Sequence, residues 1–327
     1  MGLNVGALHV DTMLSNVSLM YRNADFLSEQ VFPIVPSDKQ SNRYPVYGTD
    51  NLRAVADARR PGALSNQIDW SLSTNPFFCD GHALSVYIPD EDRENADPAV
   101  MDLQTDSTIM LTDKIFLNRE VNLVNALMAA LTPVDLSLSS GANQFDNTSF
   151  DPVQYIDYQK ETVAVQIGLR PNTMLFSRPA WRGFRNNPNV LKHIFGTSVV
   201  GTGQQINTDH AKALLEVDDV LIGDAVNITS GEGITPITTH YVWGQPGDTN
   251  GALAMLFYRP KSPGLRTVSL GYQFTWNKGR MGSLVYTDRA NKRHADWLEV
   301  HRYYSLQIVA AAAAVLFKNA ISTTEEP

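Results

Sequence analysis

Residues 97–133, DPAVMDLQTDSTIMLTDKIFLNREVNLVNALMAALTP, carry the longest helical pattern in the chain. Asp97 is a good N-cap and Pro98 suits the first helical position. Leu103, Met110, Leu117, Val124 and Leu131 recur every seven residues, and Ile109, Phe116, Leu123 and Ala130 form a second row one position earlier. Asp102, Asp106, Asp113 and Glu120 fall largely outside this apolar face. Thr132-Pro133 stops the pattern. Some 35 residues at ~1.5 Å each predict a rod about 50 Å long, several times the usual helix. The heptad admits a coiled coil; the second apolar row is too wide for a simple dimer seam and favours packing on a sheet.

Upstream lies a long excursion, residues 43–88. Arg43 to Tyr47 reads as a strand, and Ala54 to Gln67 as a polar, Arg-containing tip with the turn pair Pro61-Gly62. The chain returns through Ile68-Asp69-Trp70-Ser71-Leu72-Ser73, alternating with period two, and Leu84-Ser85-Val86-Tyr87-Ile88 alternates again. A two-stranded ribbon has little core of its own and needs support from elsewhere. Before it, residues 1–42 read as an arm lying on another surface, because Pro33 and Pro36 hold the backbone extended.

Downstream the pattern is that of an ordinary globular unit. A helix from Asp151-Pro152 to about Gly168 precedes a strand at Thr173 to Phe176. Ser177 caps a further helix, which Asn187-Pro188 interrupts. Asp209 to Val217 is helical and Val220-Leu221-Ile222 a buried strand. Tyr241 to Gly244 and Ala252 to Tyr258 read as a hairpin, Arg259 to Gly264 as a linker, and Val268 to Trp276 as an alternating strand.

The chain has 327 residues, 43% of them hydrophobic, which is ample for a core and excludes general disorder. Charged residues make up 18%, below the usual ~25%. The surplus of Asp and Glu gives a net charge of −8, which argues against a dedicated nucleic-acid binder. Cys79 alone cannot form an internal disulfide and, in Phe77-Phe78-Cys79, reads as buried and inert. Met1 to Val10 carries no signal-peptide pattern, and Ile308 to Phe317 is far short of the ~20 apolar residues that cross a bilayer. The seven histidines show no metal-ligand spacing. Gly196 to Gly203 has phosphate-loop glycine spacing but lacks the lysine, and reads better as a surface loop than as a nucleotide site. Glu91, Asp92 and Glu94 suit a helix start better than acid–base chemistry. Arg59-Arg60, and Arg289, Lys292 and Arg293, suit salt bridges to acidic neighbours better than phosphate contacts. The residues assign no catalytic, cofactor-binding or metal-binding role.

Four segments in order carry a resemblance: Phe26-Leu27-Ser28-Glu29-Gln30-Val31-Phe32-Pro33-Ile34-Val35-Pro36; Pro171-Asn172-Thr173-Met174-Leu175-Phe176-Ser177-Arg178-Pro179-Ala180-Trp181 with Asn187-Pro188; Glu216-Val217-Asp218-Asp219-Val220-Leu221-Ile222-Gly223; and Arg259-Pro260-Lys261-Ser262-Pro263-Gly264-Leu265-Arg266. With the long helix, they make the sequence resemble the major capsid proteins of tailed bacteriophages, of Hong Kong 97-like fold. The resemblance implies an α+β chain with an N-terminal arm at 1–42, an extended loop at 43–88, a peripheral domain at 89–150 and 260–327 with a spine helix at about 97–131, and an axial domain at 151–259. It implies a non-enzymatic shell subunit of the virion, assembled in the host bacterial cytoplasm. Its partners would be copies of itself in pentamers and hexamers around double-stranded DNA held by weak contacts, with a separate scaffolding protein, a portal and a decoration protein, and no membrane. The inter-subunit contacts would include Phe32, Arg53, Arg59, Arg60, Ile68, Trp70 and Leu72. No lysine lies between Lys39 and Lys114, so shell crosslinking through a loop lysine is not expected. An encapsulin-like compartment shares the fold and stays open at this stage; a nucleotide-dependent enzyme using residues 196–203 is the alternative of another class.

Overall fold

The computed structural model describes residues 9–10, 26–46, 53–62, 64–67, 73–95, 102–137, 143–196, 205–228, 230–231, 239–244, 252–262, 267–277 and 283–322. In chain order the elements are β1 (His9–Val10), α1 (Ser28–Val31), β2 (Ile34–Ser37), β3 (Ser41–Val46), β4 (Ser73–Phe78), β5 (Asp80–Pro89), α2 (Asp90–Asn95), α3 (Leu103–Ala130) and β6 (Val134–Asp135). There follow α4 (Pro152–Ile167), β7 (Thr173–Ser177), α5 (Arg178–Asn186), α6 (Pro188–Phe195), α7 (Thr208–Leu215), β8 (Asp219–Gly223), β9 (Val226–Ile228) and β10 (Thr239–Tyr241). The chain closes with β11 (Ala254–Phe257), β12 (Gly271–Trp276), β13 (Ser283–Ala290), β14 (Ala295–Ile308) and β15 (Ala314–Lys318).

The long helix starts later than its sequence suggests. Asp102, extended at ψ 93°, is the N-cap of α3, and its side chain accepts from the amides of Gln104 and Thr105. Asp97 and Pro98 lie outside the described residues. The buried stripe is also rotated from the expected heptad. Leu111, Ile115, Phe116, Leu123, Val124 and Leu127 are inside, with i, i+3/i+4 spacing, whereas Met110 is 45% exposed and Ala130 lies on the surface. Thr108 and Thr112 sit in the stripe with hydroxyls returned to the carbonyls of Gln104 and Thr108, so neither leaves an unpaired donor.

Two sheets take up the two halves of this helix. The six-stranded sheet has the order β1-β13-β14-β12-β2, with β5 also paired to β14. Leu111 and Ile115 pack there on Val285, Leu298 and Val300. The five-stranded sheet, β6-β15-β11-β7-β8, carries its own core around Phe145, Phe176, Trp181, Phe184 and Phe317. Leu123, Val124 and Leu127 reach Leu175, Trp243, Met255 and Phe257 on that side. An α+β arrangement is therefore present, with helix and sheet meeting face to face. The coiled-coil option falls away, because the apolar stripe is consumed by sheets of the same chain.

Strand pairing departs from the sequence reading in two places. Residues 80–89 do not belong to a free ribbon: β5 pairs with β14 along its length, from Asp80↔Tyr304 to Pro89↔Ala295. The hairpin expected between Tyr241 and Tyr258 shrinks to one bridge, Gly244↔Ala252. β10 pairs with β9 instead, and β11 lies between β7 and β15. All four residues of β11 are buried, so it has to be central rather than half of a surface hairpin.

The arm is docked. β2 pairs in parallel with β12 (Ile34↔Gln273 to Ser37↔Trp276). Val31 and Phe32 are fully buried, with the Phe32 ring seated over Gly271.

The chain's last described strand is tied down by a carboxylate. Asp135 Oδ1 accepts from Ser137 N (3.0 Å), Ser137 Oγ (2.7 Å) and Asn319 Nδ2 (2.9 Å), and Oδ2 meets Lys318 Nζ at 3.1 Å. Burial pulls this carboxyl upward, but the bonds from Asn319, Ser137 and Lys318 outweigh it and hold it well below its ordinary 3.8. A depressed folded-state value means stability that is present above 3.8 and lost as pH falls through the lower value. Asp135→Asn should therefore cost about 2 kcal/mol at pH 7 and at pH 5, and the gap to wild type should shrink only below 3.8. Urea titrations of the isolated chain across that range check it; a gap that grows on acidification would refute it.

Candidate interaction surface

β3 and β4 form a six-pair ribbon, Ser41↔Phe78 to Val46↔Ser73. Its base is fixed to the six-stranded sheet by aromatic rings: Phe77 stacks on Phe274 at 4.0 Å and 9°, with Tyr44 5.4 Å from the same ring. Cys79 lies beneath them, fully buried, and burial pushes its thiol up to about 11. The nucleophile is the thiolate, so the expected inert thiol is what the fold contains.

Beyond the base the environment reverses. Every described residue between 53 and 67 is exposed, Leu64 at 97%. Asn66 Nδ2 donates to Ala56 O across the loop at 3.2 Å. Arg59 and Arg60 make no ion pair or hydrogen bond with another described residue, so the acidic neighbour expected for them is not found among the described residues of their own chain. Arg289 does have its acidic neighbours. It bonds Asp90 (Nη1–Oδ1 2.7 Å) and Asp296 (Nη1–Oδ1 2.9 Å), and Arg93 bonds the same two aspartates, closing a ring of four alternating charges.

Of the expected contact residues, Arg53, Arg59 and Arg60 stand together on the exposed tip. Phe32 does not join them. It is fully buried in its own chain, and its place as an inter-subunit contact is corrected: a docked arm spends its apolar residues internally. Ile68, Trp70 and Leu72 lie outside the described residues. Other surfaces went unnoticed in the sequence. Tyr158 and Val165, one heptad apart on α4, are 64% and 83% exposed, and Val226 and Ile228 project from one face of β9. Leu64, which with Val55 makes up the large apolar side chains of an otherwise polar tip around Pro61-Gly62, was the signal available for the loop.

Among the described residues no cluster of His, Cys, Asp and Glu could hold a metal, and no helix is long and apolar enough to cross a membrane. Gly196 ends α6 with φ +78°; the rest of the glycine-rich stretch lies outside the described residues.

No family model matches the sequence. A protein of Burkholderia phage BcepMu named Major capsid protein is 28% identical over 237 residues, 70% of this chain and 73% of its own. The crystal structure of a phage-related protein from Bordetella bronchiseptica matches with a TM-score of 0.72 at 23% identity, over 96% of this chain and 98% of that one. The capsid of cyanophage P-SCSP1u matches at 0.56 and 9% identity, over 91% and 88%. This chain has the phage capsid fold. The SrpI encapsulin of Synechococcus elongatus shares that fold at a TM-score of 0.54 and 13% identity, over 93% of this chain and 90% of its own. In the fold seen here, β2, the ribbon base and β5 pack within the chain, whereas every described residue of the ribbon tip is exposed.

Proposed function

We propose that the chain is a major capsid subunit whose copies assemble through pentamers and hexamers into the shell of a virion around double-stranded DNA. The observation that carries this is the loop tip. Residues 53–67 expose apolar and basic side chains on a ribbon with a rigid base, an arrangement that gains stability only against another molecule. Repeating such a contact head to tail generates rings, and many modest contacts then add through multivalency. The tip's Arg53, Arg59 and Arg60 are its contact residues. The role is structural. Assembly takes place in the host cytoplasm, on a separate scaffolding protein and a portal, with a decoration protein as a further partner. The net charge of −8 suits a wall that touches DNA weakly. The named sequence relative is a phage protein, which favours a DNA-filled shell over an encapsulin-like compartment.

Electron microscopy of the purified protein, with and without a scaffolding partner, tests the reading. Ring-shaped capsomers or closed shells are expected. A monomer that persists at high concentration in the presence of the scaffold would overturn it.

A further inference from the structure

One carboxylate joins three parts of the subunit. Glu120, on α3, is fully buried. Its Oε1 accepts from Leu27 N at 3.0 Å and from Trp243 Nε1 at 2.6 Å, and its Oε2 from Ser28 N at 2.8 Å. Leu27 and Ser28 open the single turn α1 of the arm. At the other end of that turn, Arg259 Nη1 donates to Gln30 O (2.6 Å) while its Nη2 holds Asp219 of β8 (2.6 Å). On its flank, Arg119 of α3 pairs with Glu29 at 3.0 Å. A four-residue helix is unstable alone; here a carboxyl accepts at its amide end and a cation donates at its carbonyl end, the sense that the helix dipole favours. Burial pushes the Glu120 carboxyl above its ordinary range, against the pull of its donors from Leu27, Trp243 and Ser28.

Trp243 is equally constrained. Its side chain is fully buried and covers Gly223 at the end of β8, so closely that a Cβ there would lie 2.4 Å from the ring. The indole is therefore fixed to the edge of the five-stranded sheet, while Glu120 belongs to α3.

We propose that Glu120 is a latch that couples seating of the arm to seating of the five-stranded sheet, so that neither end loosens alone. Groups that share one hydrogen-bonding partner are energetically coupled, and here the partner is a fully buried carboxyl with no solvent to replace a lost donor. When either the α1 amides or the Trp243 indole withdraws, the under-satisfied carboxyl becomes costly to keep buried, Glu120 leaves its site more often, and the other end loses its bond with it. The latch is a property of the single chain and stands whether or not the chain builds a shell.

The test reads one end while the other is altered, on the unassembled full-length subunit. Trp243→Phe removes the indole donor and leaves Leu27 and Ser28 untouched. Their amide exchange, followed by NMR, should speed up threefold or more; a smaller change overturns the latch. Should Trp243→Phe fail to fold, Glu120→Gln supplies the same reading. Exchange at the Leu27 and Ser28 amides and at the Trp243 indole should then rise together, and a rise at one end alone overturns the proposal.

Discussion

Replacing residues 53–67 with a short Gly-Ser link should leave the unfolding temperature of the unassembled subunit within about 2 °C of wild type and abolish assembly. Stability barely depends on the tip, since every described residue there is exposed and almost no apolar area leaves water on folding. Shortening a flexible loop changes its closure entropy by only ~0.6 kcal/mol per halving of length. The ribbon base is retained, because the Phe77–Phe274 stack and the β3–β4 ladder are untouched. Calorimetry and electron microscopy of the same preparation separate the outcomes. A large fall in unfolding temperature would mean that the tip belongs to its own subunit's core. Unimpaired shells would mean that neighbours are held by other surfaces.

The largest stability effects should come from the seat of the arm. Phe32→Ala empties a fully buried ring site and should cost about 3–5 kcal/mol. Gly271→Ala approaches the same site from the other side. Its Cβ would lie 2.4 Å from Phe32 Cζ and 2.7 Å from the backbone oxygen of Gln307, and strand pairing stops that oxygen from retreating. Overpacking of this kind costs about 1–3 kcal/mol. In the double variant the methyl no longer meets the ring, so the combined loss should fall below the sum of the single losses by about 1 kcal/mol or more. Urea denaturation of the unassembled subunits measures all three. Strict additivity would show that ring and Cβ do not compete for one space, and would move the arm off its seat.

The reasons why some of this was readable and some not are local. Helix starts at Asp151 and Ser177 declare themselves, because a side-chain acceptor with proline just after it has few other uses, and each does cap its helix. Asn187-Pro188, which reads as an interruption, also caps the helix that follows it. Pro33 and Pro36 correctly announce an extended arm. Glu120 was hidden by the same logic that found the helix: a charge at the margin of an apolar face reads as solvent-facing. The partners that draw it inside are 93 and 123 residues away in sequence. The strand at Leu84 to Ile88 was legible as a strand, but alternation names no partner, and its pairing to β14 could not be read. The misplacement of Phe32 has the same origin. An apolar residue between an arm and a proline looks alike whether it will pack within its subunit or on a neighbour. The tip needed no partner to be recognised, since polarity, arginines and Pro61-Gly62 already mark a segment that cannot form a core.

The sealing of Cys79 has a practical side. The sequence holds one cysteine, and its thiol is both covered and reluctant to ionise, so maleimide dyes should pass the native chain by. A thiol introduced as Leu64→Cys, at a side chain 97% exposed, would then be the site of labelling, and a fluorophore there would report, in real time, any contact that forms at the loop.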